Sequence, residues 1–463
     1  MAQNASDKIH IVILAAGQGT RMKSRLPKVC HPLAGQSMIR HVVKTAHSLG
    51  NEISVVVGHG AEQVQAELAD LSVSFVTQSE QLGTGHAVAQ ALPNIREGQR
   101  VLVLYGDVPL ISAETLRALL TEDQADKLTL LTATMDNPAG YGRIVRGADN
   151  GVTAIVEQKD ASPEQLAINE INTGFMAMPA THLQDWLPRL SSDNAQGEYY
   201  LTDLVAMAVA DQVTVTAVQP AHVMETQGVN NRLQLAQLER WYQQQRANAL
   251  MTGGTTLADP ARLDLRGEVT AGTDNFIDVN VVLENVTLGS NVHISPNCVI
   301  RNATIGDGTE ILANSVIENA TVGANCQVGP FARLRPEAVL ADGAKVGNFV
   351  EIKKAVVETG AKVNHLTYVG DARIGAGANI GAGTITCNYD GANKFHTDIG
   401  AGAFIGSNST LVAPVNIEDG AFIGAGSVIT KTAPADKLTL SRSKQLTIPS
   451  WQRPTKQQKK TDS

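Results

Sequence analysis

VTLGSNVHISPNCVIRNATIGDGTEILANSVIENATVGANCQVGP, residues 286–330, carries an aliphatic residue every six positions, with an occasional five: Leu288, Ile294, Ile300, Ile305, Ile311, Ile317, Val322 and Val328. The ladder continues through Leu334, Leu340, Val346, Ile352, Val357, Val363, Val369, Ile374 and Ile380, then resumes as Ile399, Ile405, Leu411, Ile417, Ile423 and Ile429. A period of six suits neither the 3.6 residues of a helical turn nor the simple alternation of a strand. Each hexad therefore reads as a short strand plus a corner, and three such edges close a triangular coil. A small or β-branched residue often stands four after the aliphatic one, at Cys298, Thr304, Ser315, Thr321, Ala332, Val350, Thr367, Ser409 and Ser427, where it is expected to point inward. Glycine commonly follows the aliphatic residue, at Gly289, Gly306, Gly323, Gly347, Gly370, Gly406 and Gly424, which reads as a corner too tight for a Cβ. The pattern predicts a parallel β-helix traceable from about Leu265 to Ile429.

Upstream the periodicity changes. Residues 1–229 alternate strand-like apolar runs (Ile11 to Leu14, Ser54 to Val57, Val101 to Leu104, Leu128 to Ala133) with helix-like stretches, predicting a Rossmann-like α/β domain with a mainly parallel sheet. Residues 230–252 contain no Gly or Pro and place Leu235, Leu238, Tyr242 and Leu250 in an interrupted stripe, which predicts a connecting helix ended by Gly253 and Gly254. Residues 253–450 would form the β-helix domain, and the polar, basic tail 451–463 is expected to lack a fixed fold. A chain of 463 residues exceeds what one core sustains, in line with this division.

Charge and composition exclude several function classes. A net charge of −8 gives no basic field for nucleic acid. The longest N-terminal apolar run, Ile11 to Ala16, is too short to span a membrane and lacks the basic flank of a secretion signal, so a cytoplasmic protein is expected. Cys30, Cys298, Cys326 and Cys387 show no metal-like pairing and read as reduced thiols.

In the N-terminal half, IVILAAGQGTRM (residues 11–22) is a strand entering a glycine-containing loop, with Arg21 behind it and Pro27 and Lys28 soon after. Such a transition exposes backbone N–H groups to phosphate, and Arg21 and Lys28 would add charge to a triphosphate. Gly17 and Gly19 alone would also fit an ordinary βα turn. Gln78 and the Gly83-Thr84 loop of EQLGTGHA form a plausible nucleobase floor, and YGDVPL ends a strand with Asp107, where α/β sheets place ligand groups. A turn or N-cap aspartate is the alternative at Asp107.

LAAGQGTRM with the following Pro-Lys resembles the sugar-nucleotidyltransferase signature. GYGR (140–143), IVEQKD (155–160), EINTG (170–174), NAQGEYYLTD (194–203) and GVNNR (228–232) then match, in order, the bifunctional bacterial enzymes that make UDP-N-acetylglucosamine from glucosamine-1-phosphate. The ladder is similar to the left-handed hexapeptide-repeat acyltransferases, an exception to the right-handed crossover rule. The resemblance covers nearly the whole chain. It implies that Asp107 and Asn230 hold Mg²⁺. Leu14, Ala15, Ala16, Gly17, Arg21, Lys28, Gln78, Gly83, Thr84, Tyr105 and Gly106 would address UTP, while Gly142, Glu157 and Asn172 address the sugar.

Chemistry on a β-helix must come from residues out of phase with the ladder. His365, two after Val363 and four before Val369, should sit at a corner, with Arg335, Lys353 and Tyr368 at comparable phase on other hexads. The ladder breaks at CNYDGANKFHTD (387–398), an insertion that reads as a functional arm or a tolerated decoration. The same resemblance implies that His365 is the general base for N-acetylation of glucosamine-1-phosphate by acetyl-CoA, with Arg335, Lys353, Tyr368, Asn379 and Asn388 on the sugar phosphate or amine. Ala382, Tyr389, Ser407, Ala425 and Arg442 would line the acetyl-CoA path, in a homotrimer whose arm reaches a neighbour. Histidine, with an ordinary pKa of about 6.5, suits acceptance of that proton. The product would feed peptidoglycan and lipopolysaccharide synthesis. Glu337 after RLRP, Asn364 before the histidine and SRSKQ around Arg442 depart from the usual pattern of the family. The competing readings are a single-activity sugar-1-phosphate nucleotidyltransferase with a structural β-helix, and a non-catalytic scaffold.

Overall fold

The computed structural model describes residues 8–456, so part of the tail expected to lack a fold, 457–463, lies outside the described residues; 451–456 carry no regular secondary structure. The chain divides into two compact units, residues 1–248 with 265–267 and residues 249–264 with 268–463.

The first unit is built on a nine-stranded sheet: β1 (Ile9–Ala15), β2 (Glu52–Val57), β3 (Ser74–Thr77), β4 (Arg100–Tyr105), β5 (Leu128–Thr134), β6 (Arg143–Arg146), β7 (Val152–Val156), β8 (Glu170–Pro179) and β9 (Val215–Val218). The order is β9-β5-β8-β4-β1-β2-β3, with the β6–β7 hairpin attached to β8. Along that path the neighbours pair in parallel except at β8, which is antiparallel to both β4 and β5. The central strands are apolar on both faces because one buried cluster lies on each side of the sheet, one around Trp186 and one around Ile39. β8 was not apparent as a strand from its sequence, since Glu170, Asn172 and Thr173 interrupt the apolar run; Asn172 and Thr173 are nevertheless buried. The helix Arg232–Thr252 buries Leu238 against Met22, Leu33 and Met38, and ends where Gly254 adopts φ +98°.

In the second unit the ladder residues are buried, as the left-handed β-helix of hexapeptide repeats requires. Ile277 pairs with Ile294, Ile294 with Ile311 and Ile311 with Val328, so equivalent rungs usually recur every 17 residues and the inward side chains stack. One face forms an 11-stranded sheet, while the other two merge into a 14-stranded sheet because single strands bend through a left-handed residue such as Asn285, Asn302, Lys354 or Asp371.

Two details differ from the expectation. Thr304 and Thr321 are exposed, and the inward positions belong to Ala303 and Ala320, because the ladder interval is five there and the residue two before the next aliphatic one shifts. The glycines after the ladder residues are needed for a different reason. Their φ values are ordinary, but a Cβ on Gly306 would lie 2.6 Å from the carbonyl carbon of Gly323, so they permit adjacent coils to approach. The left-handed corners are largely asparagine, including Asn280, Asn297 and Asn314. The amide of Asn280 donates to Asn297 at 2.9 Å and that of Asn285 to Asn302 at 3.0 Å, so the corners also hydrogen-bond from coil to coil.

Gly306→Ala should therefore destabilise the chain by about 1–3 kcal/mol, because only backbone atoms surround the new methyl. Gly402→Ala, at φ +66° with open space around it, should cost roughly 1–2 kcal/mol from backbone strain alone. Thermal melting of the two variants should rank Gly306→Ala as the less stable; the reverse order would remove close coil packing as the reason for these glycines.

Candidate functional sites

At the carboxyl ends of β1 and β4, the Gly106 N–H donates to the Leu14 carbonyl at 2.9 Å, closing the sheet just before both chains leave it. The loop after β1 turns at Gly19, φ +61°, where a Cβ would lie 2.6 Å from Cβ of Lys28. Glycine there brings Lys28 against the loop, and buried Met22 anchors the following turn in the core. The Val229 N–H donates to the Asp107 carbonyl at 2.9 Å, which draws Asn230 beside Asp107 across more than a hundred residues of sequence. Lys28 Nζ donates to Asp107 Oδ2 and lies 3.4 Å from Asn230 Oδ1, which also accepts from Arg21 at 2.8 Å.

This geometry fits a hard cation. One ammonium group already reaches both the carboxylate and the amide oxygen, and Mg²⁺ takes few protein oxygens, leaving the rest to phosphates and water. Among the described residues no cluster of three or more His, Cys, Asp or Glu could hold a metal, so a cation here would share its shell with a substrate.

A cavity of about 250 Å³ extends from this point. Leu14, Ala15, Ala16, Gly17, Lys28, Gln78, Gly83, Thr84, Tyr105 and Asp107 line it, with Val29, Gln81, Ala87 and Glu198, which were not singled out from sequence. Gln81 and Glu198 lie inside the quoted strings EQLGTGHA and NAQGEYYLTD, so the signal was present but unassigned. Gln78 is buried and its amide donates to the Gly83 carbonyl at 3.1 Å. Gly83, φ +114°, tolerates no side chain because a Cβ would lie 2.6 Å from the Tyr199 carbonyl oxygen. Thr84 Oγ1 accepts from the Leu201 N–H at 3.1 Å, tying the Gly83-Thr84 loop to the opposite wall.

Gly142, Glu157 and Asn172 lie outside that lining but are close to one another. The Asn172 N–H donates to the Gly142 carbonyl at 2.9 Å, and a Cβ on Gly142 would lie 3.4 Å from either Glu157 carboxylate oxygen. Burial pushes the Glu157 carboxyl up, against the hydrogen bond from Thr202 and with the help of nearby Asp160, Asp203 and Glu198. Burial likewise pushes the Tyr105 phenol up, and the Glu157 and Asp107 carboxylates add to it.

On the β-helix, Leu334 pairs with Ile352 and Lys353 with Gly370, so Arg335 and Lys353 project from adjacent rungs of one face. Arg335 donates to Glu351 at 2.7 Å. The Lys353 ammonium is pushed down chiefly by Lys394 beside it, then by burial and Arg335, with Asp371 opposing. Lys394 lies in the arm and was missed from sequence because only proximity marks it. A Cβ on Gly370 would lie 2.4 Å from Tyr368 Oη and 2.8 Å from Asn388 Nδ2, so that glycine lets both groups converge. Asn388 in turn donates to Asp371 at 2.5 Å.

His365 does not share the phase of this group. Arg335 and Lys353 follow an inward aliphatic residue and Tyr368 precedes one, whereas His365 is the exposed last residue of the strand Lys362–His365; the corner itself is Leu366, φ +51°. Its strand and that of Asn379 belong to the neighbouring face. Ala382, Ser407 and Ala425 stack at successive coils through the Asn408 N–H on the Ala382 carbonyl and the Gly426 N–H on the Ser407 carbonyl, each 2.8 Å. Arg442 reaches the end of that column, its Cδ 3.8 Å from where a Gly426 Cβ would stand. The arm is not structureless: Tyr389 bridges to Lys394, its hydroxyl donates to the Gly391 carbonyl at 2.5 Å, and Asp390 accepts from the Ala392 and Asn393 N–H groups. Glu337 occupies a left-handed corner, φ +66°, a conformation that favours glycine.

Both halves match known families: the MobA-like NTP transferase domain over residues 11–255, the GMPPB C-terminal domain over 265–364 and the bacterial transferase hexapeptide (six repeats) over 396–431. Across the whole length, the chain is 62% identical over 450 residues to the bifunctional protein GlmU of Marinobacter nauticus, covering 97% of this chain and 99% of that protein. The chain belongs to the bifunctional GlmU family. Further GlmU relatives are those of Stutzerimonas stutzeri, 60% identical, and Cellvibrio japonicus, 58%, each covering 97% of this chain and 99% of the relative. The chain is accordingly an acetyltransferase and a uridylyltransferase, using acetyl-CoA and UTP with Mg²⁺. Full-length membership favours this over a nucleotidyltransferase carried on an inert stalk. Among the described residues no helix is long and apolar enough to cross a membrane.

Proposed function

We propose that the two constellations serve the two transfers separately. At the β-helix, Arg335, Lys353, Tyr368, Asn379 and Asn388 hold glucosamine-1-phosphate through its phosphate or amine. The amine lone pair attacks the acetyl carbonyl carbon; the C–N bond forms, the C–S bond breaks, and His365 accepts the proton lost from nitrogen while coenzyme A leaves as its thiolate and is then protonated. Ala382, Tyr389, Ser407, Ala425 and Arg442 line the coenzyme path. At the α/β unit, Arg21 and Lys28 orient the UTP phosphates, Gln78, Gly83, Thr84 and Tyr105 the uridine side, and Gly142, Glu157 and Asn172 the acetylated sugar. A phosphate oxygen of N-acetylglucosamine-1-phosphate attacks the α-phosphorus of UTP, and pyrophosphate leaves. Asp107 and Asn230 would hold Mg²⁺, which supplies neutralisation of charge on the phosphates when bound. The observation that carries this reading is the convergence of Lys28 and Arg21 on Asp107 and Asn230 at the strand ends. The enzyme is assigned to the cytoplasm, where thiols stay reduced; its four cysteines are unpaired.

We assign the acetyltransferase to a homotrimer built through the β-helix. In one chain His365 and the phosphate-binding cations occupy neighbouring faces, and exposed Phe331, Phe349 and Leu366 stand on successive coils at the corner between them. The two phenyl rings stack at 5.2 Å, an apolar column that a second copy would cover. Sedimentation equilibrium should give three times the 49.0 kDa chain mass. A monomer active in acetyl transfer would refute the assembly.

A further inference from the structure

We propose that Asn348 is a positioning residue for acetyl transfer: it fixes the tautomer of His365 so that Nε2 is the nitrogen that accepts the proton. This rests on the assignment of His365 as the base. The coil repeat supplies the pairing, since the strands Lys345–Asn348 and Lys362–His365 are hydrogen-bonded neighbours in which Asn348 stands opposite His365. The Asn348 Oδ1 lies 2.7 Å from His365 Nδ1. An amide oxygen only accepts, so Nδ1 must carry the ring proton and Nε2 keeps its lone pair.

The backbone holds this contact in place. The Leu366 N–H donates to the Asn348 carbonyl at 3.1 Å, so backbone and side chain of one residue clasp both sides of the corner. A Cβ on Gly347 would lie 2.0 Å from the Asn364 carbonyl oxygen, which shows how closely the two rungs approach. On the next coil the Gly383 N–H donates to the His365 carbonyl at 3.3 Å, and no other described side chain hydrogen-bonds the ring. His365 is exposed, so without Asn348 its ring would be free to rotate and to exchange tautomers. The ring's fixed partner is an amide and so is neutral, while Lys345 and Lys362 are the charged side chains of the two strands. A neutral acceptor orients the ring without the added preference for imidazolium that a carboxylate would bring.

The test uses the full chain. Asn348→Ala should lower kcat for acetyl transfer about 10- to 100-fold, the usual effect of losing a group that orients a functional histidine. KM for glucosamine-1-phosphate and acetyl-CoA should stay within about twofold, because Asn348 acts on the ring rather than on substrate. Uridylyl transfer in the same preparation serves as the folding control. Asn348→Asp, nearly isosteric, keeps the acceptor: its kcat should recover at alkaline pH, with the acid limb of the profile moved to higher pH because the new carboxylate favours imidazolium. An unchanged kcat in Asn348→Ala, a loss confined to KM, or an Asn348→Asp enzyme unrescued at any pH would overturn the proposal. Full acetyl transfer by His365→Ala would instead overturn the base assignment, so the two failures are distinguishable.

Discussion

Asp107→Ala should abolish formation of the UDP-sugar while acetyl transfer continues at close to its original rate. The Asp107 carboxylate meets the Lys28 ammonium at the ends of β1 and β4, and its backbone carbonyl holds Val229, hence Asn230, in place. Substitution leaves the backbone hydrogen bond intact but removes the one carboxylate that, among the described residues, pairs with this cation cluster. Two positive side chains then share one amide oxygen, and a Mg²⁺ ion held as proposed would lose its carboxylate ligand. Losing one preorganised electrostatic group costs about 10²- to 10³-fold in rate, and a metal ligand belongs at or beyond the upper end. Pyrophosphate release and acetyl-CoA consumption, followed in one preparation, provide the measurement. Equal loss of both in a folded protein would show that the two chemistries are not separately housed.

His365→Ala should remove acetyl transfer by about 10²- to 10⁴-fold, the range for a lost general base, with the β-helix intact. The side chain is exposed and contributes nothing to the stack of Val346, Val363 and Ile380, so folding does not depend on it. The variant therefore decides. Unchanged uridylyl transfer with undiminished acetyl transfer would reduce His365 to a surface residue.

The β-helix was legible because its signal is periodic: every coil must fill the same triangular interior, so Leu288 through Ile429 repeat one physical demand. Thr304 and Thr321 misled because the demand follows the coil geometry and not a fixed count of six. The left-handed asparagine corners went unread since polarity at a corner looks like ordinary surface, and only the coil-to-coil amide bonds reveal the regularity. In the α/β unit the phosphate loop could be read from local sequence. The pairing of Asp107 with Asn230 could be expected only from family likeness, because it depends on a backbone hydrogen bond between residues far apart in the chain. Lys394 and Asn348 were out of reach for the same reason: their significance lies in which neighbour stands one coil away.

The coil repeat also makes the second unit a ruler. Neighbouring rungs lie about 4.7–4.9 Å apart, so a whole coil gained or lost lengthens or shortens the prism by one graduation while every surviving pair finds an equivalent partner. A change of six residues would instead rotate all later side chains by one face, carrying Arg335 and Lys353 away from the flank they now share. Length variation in such a protein is therefore quantised, and an insertion such as 387–398 is tolerated because it leaves the prism at a corner and re-enters in step, with Thr397, Asp398 and Ile399 pairing to Ala372, Arg373 and Ile374.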